Sequence, residues 1–237
     1  MENKKNKIFA LIPARGGSKG IKRKNLKKIA GKSLLEWAVI TAKKSNLFDK
    51  VILSSDDDEI IKEGKRFGAD VPFVRPSKLS SDDSLTHDVW KHAWKFAEDY
   101  YSCSYDYSVL LEPTSPLRII EDIYKTLSKV VNDGFLSAVT LSKTPAHFTP
   151  HKTLILKNEK INFFHSDGIN NTNRQNIPDF FHRNGLCYAV NKKQIFENNV
   201  IIDHNSAGIV IDRNVINIDD EFELKIADIL LKEQQSI

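Results

Sequence analysis

Cysteine is scarce in this 237-residue chain: only Cys103 and Cys187, too far apart to suggest a metal knuckle or a disulfide framework. None of the seven histidines stands at metal-ligand spacing either. No apolar run reaches the roughly 20 residues that a membrane span requires, so no membrane partner is expected. The run Lys7–Pro13 is too short for a signal core and leads straight into charge, which points to a cytoplasmic protein. Without a secretory signal, the sequon at Asn170-Asn171-Thr172 carries no weight. Internal repeats and low-complexity linkers are missing too. The remaining composition, 41% hydrophobic and 28% charged, is ordinary for one globular domain, with or without an extension.

Acid is scarce at the front of the chain. Residues 1–50 hold fourteen Lys and Arg against three acids (Glu2, Glu36, Asp49), an excess of eleven in a chain of net charge +4. A polyanion is therefore expected at the N-terminal third. Charge alone does not choose between a nucleic acid and a nucleotide triphosphate.

The cationic region has an organised centre. The strand-like Lys7–Pro13 empties into Ala14-Arg15-Gly16-Gly17-Ser18-Lys19-Gly20, then Ile21-Lys22-Arg23-Lys24-Asn25. Paired glycines let a backbone turn tightly and expose its amides, a geometry that suits phosphate oxygens. Arg15, Lys19 and Lys24 add positive charge around the same place, whereas Lys22, Arg23, Lys27 and Lys28 read as a solvated face. Gly31-Lys32-Ser33 mimics the end of a P-loop, but Leu26 stands where the first glycine is needed. Gly16, Gly17 and Gly20 also miss the dinucleotide spacing, so neither nucleotide motif applies.

Along the chain, β-branched runs alternate with helical periodicity. Strands are expected at 7–13, 50–54, 71–74, 105–111 and 136–141, and helices at 33–45, 57–67, 82–101 and 119–131. On the first helix the apolar face would use Leu34, Trp37, Ala38 and Thr41; on the third, Val89, Trp90, Ala93, Trp94 and Ala97. This rhythm defines an α/β fold with a mostly parallel sheet flanked by helices. It breaks after Leu141, where 152–156 and 160–164 read as a β-hairpin around Lys157-Asn158-Glu159. The expected organisation is a core of 1–141 and 177–237, with 142–176 inserted as a hairpin-bearing extension. The core resumes with a strand at 186–190 and closes with a helix over about 219–232.

Five motifs stand in order: Ala14–Gly20 with Lys24-Asn25; Arg75-Pro76; Leu111–Arg118 (LEPTSPLR); Arg174-Gln175 with Arg183-Asn184-Gly185; and Ile216–Leu224. Together they resemble the CMP-sialic acid synthetase (acylneuraminate cytidylyltransferase) family over nearly the whole chain. The resemblance implies a Rossmann-like nucleotidyltransferase fold. It also implies a reaction that joins CTP to the anomeric hydroxyl of a sialic-acid-like sugar acid (N-acylneuraminate, legionaminate or pseudaminate) and releases pyrophosphate. By resemblance, Arg15, Lys19 and Lys24 hold the triphosphate, assisted by the loop from Ala14 through Gly16, Gly17 and Ser18 to Gly20. Asn25, Arg75 and Thr86 match cytidine contacts, and Asp56 is a secondary candidate at the end of its strand. Arg75 could equally be structural, pairing with Asp70 or Asp82.

On the acceptor side the resemblance implicates Glu112, Thr114 and Ser115, together with Gln175 and the arginines Arg174 and Arg183, which offer forked grips for a carboxylate. The family pattern commonly has Gln at position 112. A carboxylate there suggests an acceptor whose substituents differ from plain N-acetylneuraminate, one with a basic group for example. Arg118 reads as structural. At 216–221, strand alternation would send residues 217 and 219 the same way, toward one Mg²⁺. The family pattern has Asp at both positions, but here the first is Asn217, which leaves Asp219 as the charged ligand. The resemblance further implies a homodimer through the hairpin extension. A Kdo or amino-Kdo cytidylyltransferase is the same-class alternative, and a basic nucleic-acid-binding module the alternative of another class. The module would need aromatics spread along a groove, whereas here they gather on one helix face.

Overall fold

The computed structural model describes residues 6–170, 175 and 177–235 of the chain. In chain order the elements are β1 (Ile8–Pro13), β2 (Lys28–Ile29), β3 (Lys32–Ser33), α1 (Leu34–Ser45), β4 (Lys50–Ser54), α2 (Asp58–Arg66), α3 (Thr86–Tyr101), β5 (Tyr107–Leu110), α4 (Ile120–Val131), β6 (Ser137–Lys143), β7 (Leu154–Lys157), β8 (Lys160–Phe163), β9 (Phe181–Asn191), α5 (Lys192–Phe196), β10 (Ala207–Val210) and α6 (Glu221–Gln235). They fall into two compact units. The larger comprises the chain up to Thr140, Asn184–Ile209 and the chain from Asn214 onward; the smaller is Leu141–Arg183 with Val210–Arg213.

The larger unit carries a six-stranded sheet in the order β10-β6-β9-β5-β1-β4. β1 runs parallel to both β4 and β5, while β5 and β9 are antiparallel. The mainly parallel sheet flanked by helices is the expected α/β fold. Both neighbours of β1 bury its apolar run, and Phe9, Ala10, Leu11 and Ile12 are fully enclosed. α1 packs against α2 and α4, and α3 against α5. α1 begins where the Ser33 side chain accepts from the Glu36 amide at 3.0 Å, and α2 where Asp57 accepts from the Glu59 and Ile60 amides at 3.0 Å. On α3 the expected stripe Val89, Trp90, Ala93, Trp94 and Ala97 is buried, with the Trp90 indole donating to the Ser108 hydroxyl at 2.8 Å.

Several expectations need correction. The segment 71–74 forms no strand: only Asp70 bridges Ile52, because Pro72 and Pro76 remove ladder donors. α3 starts at Thr86 rather than Asp82, since residues 81–84 form a turn and Asp82 is drawn into ion pairs. α1 buries Leu35, Val39 and Ala42 beside Leu34 and Ala38, while Trp37 and Thr41 are only half-buried. Residues 214–219 are not a strand, so strand alternation does not govern 217 and 219. Arg23 is not part of a solvated face: it pairs with Asp57 at 3.0 Å and Glu59 at 2.9 Å.

One apolar cluster positions the site. Ile21, Ile29, Leu34, Leu117, Ile218, Ala227 and Leu231 pack together. Ile21 follows the glycine loop and Ile218 precedes Asp219, so burying the pair brings the cationic loop against the acidic segment. The Ile218 amide also donates to the Thr114 carbonyl at 2.8 Å, tying in the loop after β5.

In the smaller unit β7 and β8 form an antiparallel hairpin, with Leu154 opposite Phe163 and Leu156 opposite Ile161. The turn residues Asn158 and Glu159 have φ of 50° and 64°, the left-handed pair that a tight two-residue hairpin turn requires.

Candidate active site

At the carboxyl ends of β1, β4 and β5 the larger unit opens into a cavity of about 610 Å³, the position where open parallel sheets bind ligands. The cationic loop contributes Arg15, Ser18, Lys19, Gly20, Lys24 and Asn25; the β4–α3 region contributes Arg75 and Thr86 with Leu79, Ser81, Asp82, Ser84 and Val89. The loop after β5 adds Glu112, Pro113 and Thr114, and the segment before α6 adds Asn217 and Asp219. Twelve candidates named from the sequence, from Arg15 to Asp219, thus meet around one space.

The loop closes over this space because its glycines permit close approach. A Cβ on Gly20 would collide with the Asp219 carbonyl oxygen, so only glycine lets the loop touch the acidic segment there. Lys24 then reaches across, its ammonium donating to the Ile218 carbonyl at 2.7 Å and to Asp219 Oδ1 at 3.0 Å. Asn25 is buried, and its amide donates to the Arg15 carbonyl at 3.0 Å. Arg15 Nη2 meets Asp82 Oδ1 at 2.6 Å, and Lys19 meets Asp82 Oδ2 at 2.7 Å. Those two bonds, from Lys19 and then Arg15, hold the Asp82 carboxyl below its ordinary range.

Arg75 is buried and pairs with neither Asp70 nor Asp82. Its Nε donates to Ser54 Oγ at 2.9 Å and its Nη2 to the Ser54 carbonyl. Burial pulls its pKa down to about 10, partly offset by Asp56 and reinforced by Arg15. That value is still far above neutrality, so the guanidinium keeps its charge. Arg118 is structural, as expected: its guanidinium donates to the carbonyls of Leu186, Glu112 (2.7 Å) and Gly185 (3.5 Å). Burial lowers its pKa to about 10, and Glu112 is among the groups that oppose the fall, so this cation stands behind the Glu112 carboxylate.

The other named residues do not line the cavity. Ala14 is buried, with its amide bonded to the Ser54 carbonyl at 2.9 Å. The Gly16 amide donates to Asp56 Oδ1 at 3.0 Å, which commits one loop N–H to protein. Gly17 faces open space. Ser115 is buried, donating to the Asn184 carbonyl at 3.2 Å and to Asn217 Oδ1 at 3.4 Å. Gln175 lines a separate cavity of about 410 Å³ in the smaller unit, and Arg183 is exposed on β9. Arg174 lies outside the described residues.

In the sequence Asp82 reads only as a helix start or a partner for Arg75. Its signal in the sequence was an acid in a serine-rich stretch after Arg75-Pro76, which nothing connected to the cationic loop.

With this geometry in place, comparison with known proteins defines the class. The chain matches the Cytidylyltransferase family over residues 9–227 and belongs to it. It is 32% identical over 234 residues, covering 97% of both chains, to post-translational flagellin modification protein B of Campylobacter coli. It is 30% identical to the CMP-N,N'-diacetyllegionaminic acid synthase of Campylobacter jejuni, covering 94% of each chain. With the pseudaminic acid cytidylyltransferase of C. jejuni it shares 31% identity over 95% of this chain and 97% of that one. Among solved structures, CMP:2-keto-3-deoxy-manno-octonic acid synthetase complexed with CTP matches with a TM-score of 0.71, covering 97% of this chain and 100% of that chain at 15% identity, a likeness of fold.

Proposed function

We propose that this cytidylyltransferase is a CMP-nonulosonate synthetase, joining CTP to the anomeric hydroxyl of a sialic-acid-like 2-keto-3-deoxy sugar acid. The observation that carries the reading is the convergence of Arg15, Lys19 and Lys24 on a cavity also lined by Arg75, Glu112 and Asp219. It is supported by full-length relatives that bear the names of legionaminic and pseudaminic acid enzymes. The likeness to the octonic acid synthetase is one of fold, so a Kdo-type acceptor gains no separate support.

In this reading the anomeric hydroxyl oxygen attacks the α-phosphorus of CTP and gives up its proton to solvent, the bond from the α-phosphorus to the bridging β-phosphate oxygen breaks, and pyrophosphate leaves. The protein's part is alignment and charge stabilisation. Arg15 and Lys19 hold the outer phosphates, and Lys24, anchored on Asp219, faces the charge that grows on the leaving oxygens. Asn25, Arg75 and Thr86 line the cytidine end, where the buried Asn25 amide can read a pyrimidine edge. Glu112, Thr114 and Ser115 form the acceptor end. Gln175, Arg174 and Arg183 are proposed to grip the sugar acid.

A divalent cation suits this donor set. Asp219 offers a carboxylate and Asn217 an amide oxygen, and phosphates supply the remaining oxygens, as Mg²⁺ sites commonly arrange. When bound, the metal neutralises phosphate charge. Among the described residues no cluster of three or more His, Cys, Asp or Glu could hold an ion. The insertion 142–176 is proposed as a dimerisation element.

The test is pyrophosphate release from CTP and Mg²⁺ with a panel of neuraminate, legionaminate, pseudaminate and Kdo. Turnover with a nonulosonate is expected. Folded protein that neither binds CTP nor turns over any acid would sink the proposal. Glu112→Gln is expected to change the ranking of acceptors; an unchanged ranking would remove Glu112 from the acceptor site.

A further inference from the structure

We propose that Asp82 is an internal stand-in for the phosphate chain: it occupies Arg15 and Lys19 while nucleotide is absent and gives them up when nucleotide binds. The inference rests on the reading of the cavity as a triphosphate site. One carboxylate satisfies both cations, Oδ1 on Arg15 at 2.6 Å and Oδ2 on Lys19 at 2.7 Å, and all three residues line the cavity. This is the two-oxygen grip that a phosphate would make on the same pair.

Among the described residues, neither the start of α3 nor the turn before it calls on this acid. α3 begins after Leu85 without a side-chain cap, and the preceding turn is held by the Ser84 amide on the Ser81 carbonyl at 3.3 Å and by their paired hydroxyls at 2.9 Å. Neither arrangement uses the Asp82 carboxylate. Lys24 differs from the other two cations: it is largely enclosed and tied to a backbone carbonyl as well as to Asp219. The cradle therefore has one fixed cation and two whose partner is an exposed, exchangeable carboxylate.

A single charge competing with a polyphosphate loses, but it sets what binding must overcome. It also offers the cations a replacement partner as pyrophosphate departs. Asp82 is thus a tuning residue that trades nucleotide affinity against product release.

The experiment compares wild type, Asp82→Asn and Asp82→Glu by calorimetric titration with inorganic tripolyphosphate and with CTP at several salt concentrations, alongside pyrophosphate inhibition of turnover. Two exposed ion pairs predict that Asp82→Asn binds tripolyphosphate about two- to tenfold tighter. Its salt dependence should be steeper and its inhibition by pyrophosphate stronger, while Asp82→Glu should stay close to wild type. Equal or weaker tripolyphosphate binding by folded Asp82→Asn would overturn the stand-in and leave the triphosphate site intact. Wild type that binds neither tripolyphosphate nor CTP would remove both readings together.

Discussion

Lys24 and Arg15 bring the same charge to the cavity on different tethers. Lys24 spans from the loop to Ile218 and Asp219, so its ammonium is held in place before any substrate arrives. Preorganised charge of this kind is worth most in the transition state, because it needs no rearrangement when the leaving oxygens develop charge. Lys24→Met should lower kcat/KM by about 10²–10³-fold in the pyrophosphate-release assay while leaving the fold intact. A loss confined to KM would instead make Lys24 a ground-state anchor. Gly185 governs the other end of the site. Its φ is +72°, and a Cβ there would stand 2.6 Å from Ser115 Oγ, 2.7 Å from Glu112 Oε2 and 3.0 Å from Asn217 Nδ2. Three polar side chains, two from the loop after β5 and one from the segment before α6, therefore converge on the space that the missing side chain leaves. Gly185→Ala should cost about 1–3 kcal/mol through strain at this φ and raise KM for the acceptor more than the Kd for CTP. Denaturant unfolding and the two binding measurements would separate these effects.

At the scale of elements, the C-terminal end of α3 depends on Glu98. Its carboxylate accepts from the Tyr105 amide at 2.9 Å, the Trp94 indole at 3.2 Å and the Lys192 ammonium at 2.7 Å, joining α3 to the starts of β5 and α5. Burial pushes its pKa up, but the Lys192 bond and the Tyr105 amide outweigh it and hold the group below its ordinary value. A depressed carboxyl contributes stability above its unfolded pKa and loses it as pH falls through the folded one. Stability should therefore fall on acidification below about pH 4.5. Glu98→Gln should flatten that fall and cost about 1–3 kcal/mol at neutral pH, measured by denaturant unfolding across pH. The sequence made α3 legible because its buried stripe repeats at helical spacing, and β1 legible because its apolar run is bounded by charge. It did not reveal β10 or the tiny β2–β3 ribbon, which are too short for periodicity to register. The 71–74 segment misled because β-branched composition outweighed its prolines. The candidate site was legible wherever glycines and cations mark a loop. Asp82 was not, because its role depends on a turn that brings it to residues 63 and 67 positions earlier.

On the scale of the whole molecule, charge and apolar surface are segregated. The cationic excess lies in the N-terminal third, whereas exposed apolar side chains gather on the hairpin of the smaller unit. Leu154, Leu156, Ile161 and Phe163 are 46%, 72%, 60% and 41% exposed. The register sets Leu154 beside Phe163 and Leu156 beside Ile161, so all four share one face of the hairpin. A two-stranded ribbon is marginal in water, and an apolar face of this kind marks an interaction surface. The proposed occupant is the same face of a second copy, since a self-complementary patch generates a closed two-fold dimer. Wild type should then elute with the mass of a dimer in light scattering coupled to size exclusion. Leu156→Lys with Ile161→Lys should give a monomer in which CTP still binds, because the cavity proposed for the nucleotide is lined by residues of the larger unit. A wild-type monomer, or a double variant that remains dimeric, would rule out the hairpin as the interface. If monomerisation abolished acceptor turnover but spared CTP binding, the acceptor end would be identified as the part that needs the second subunit.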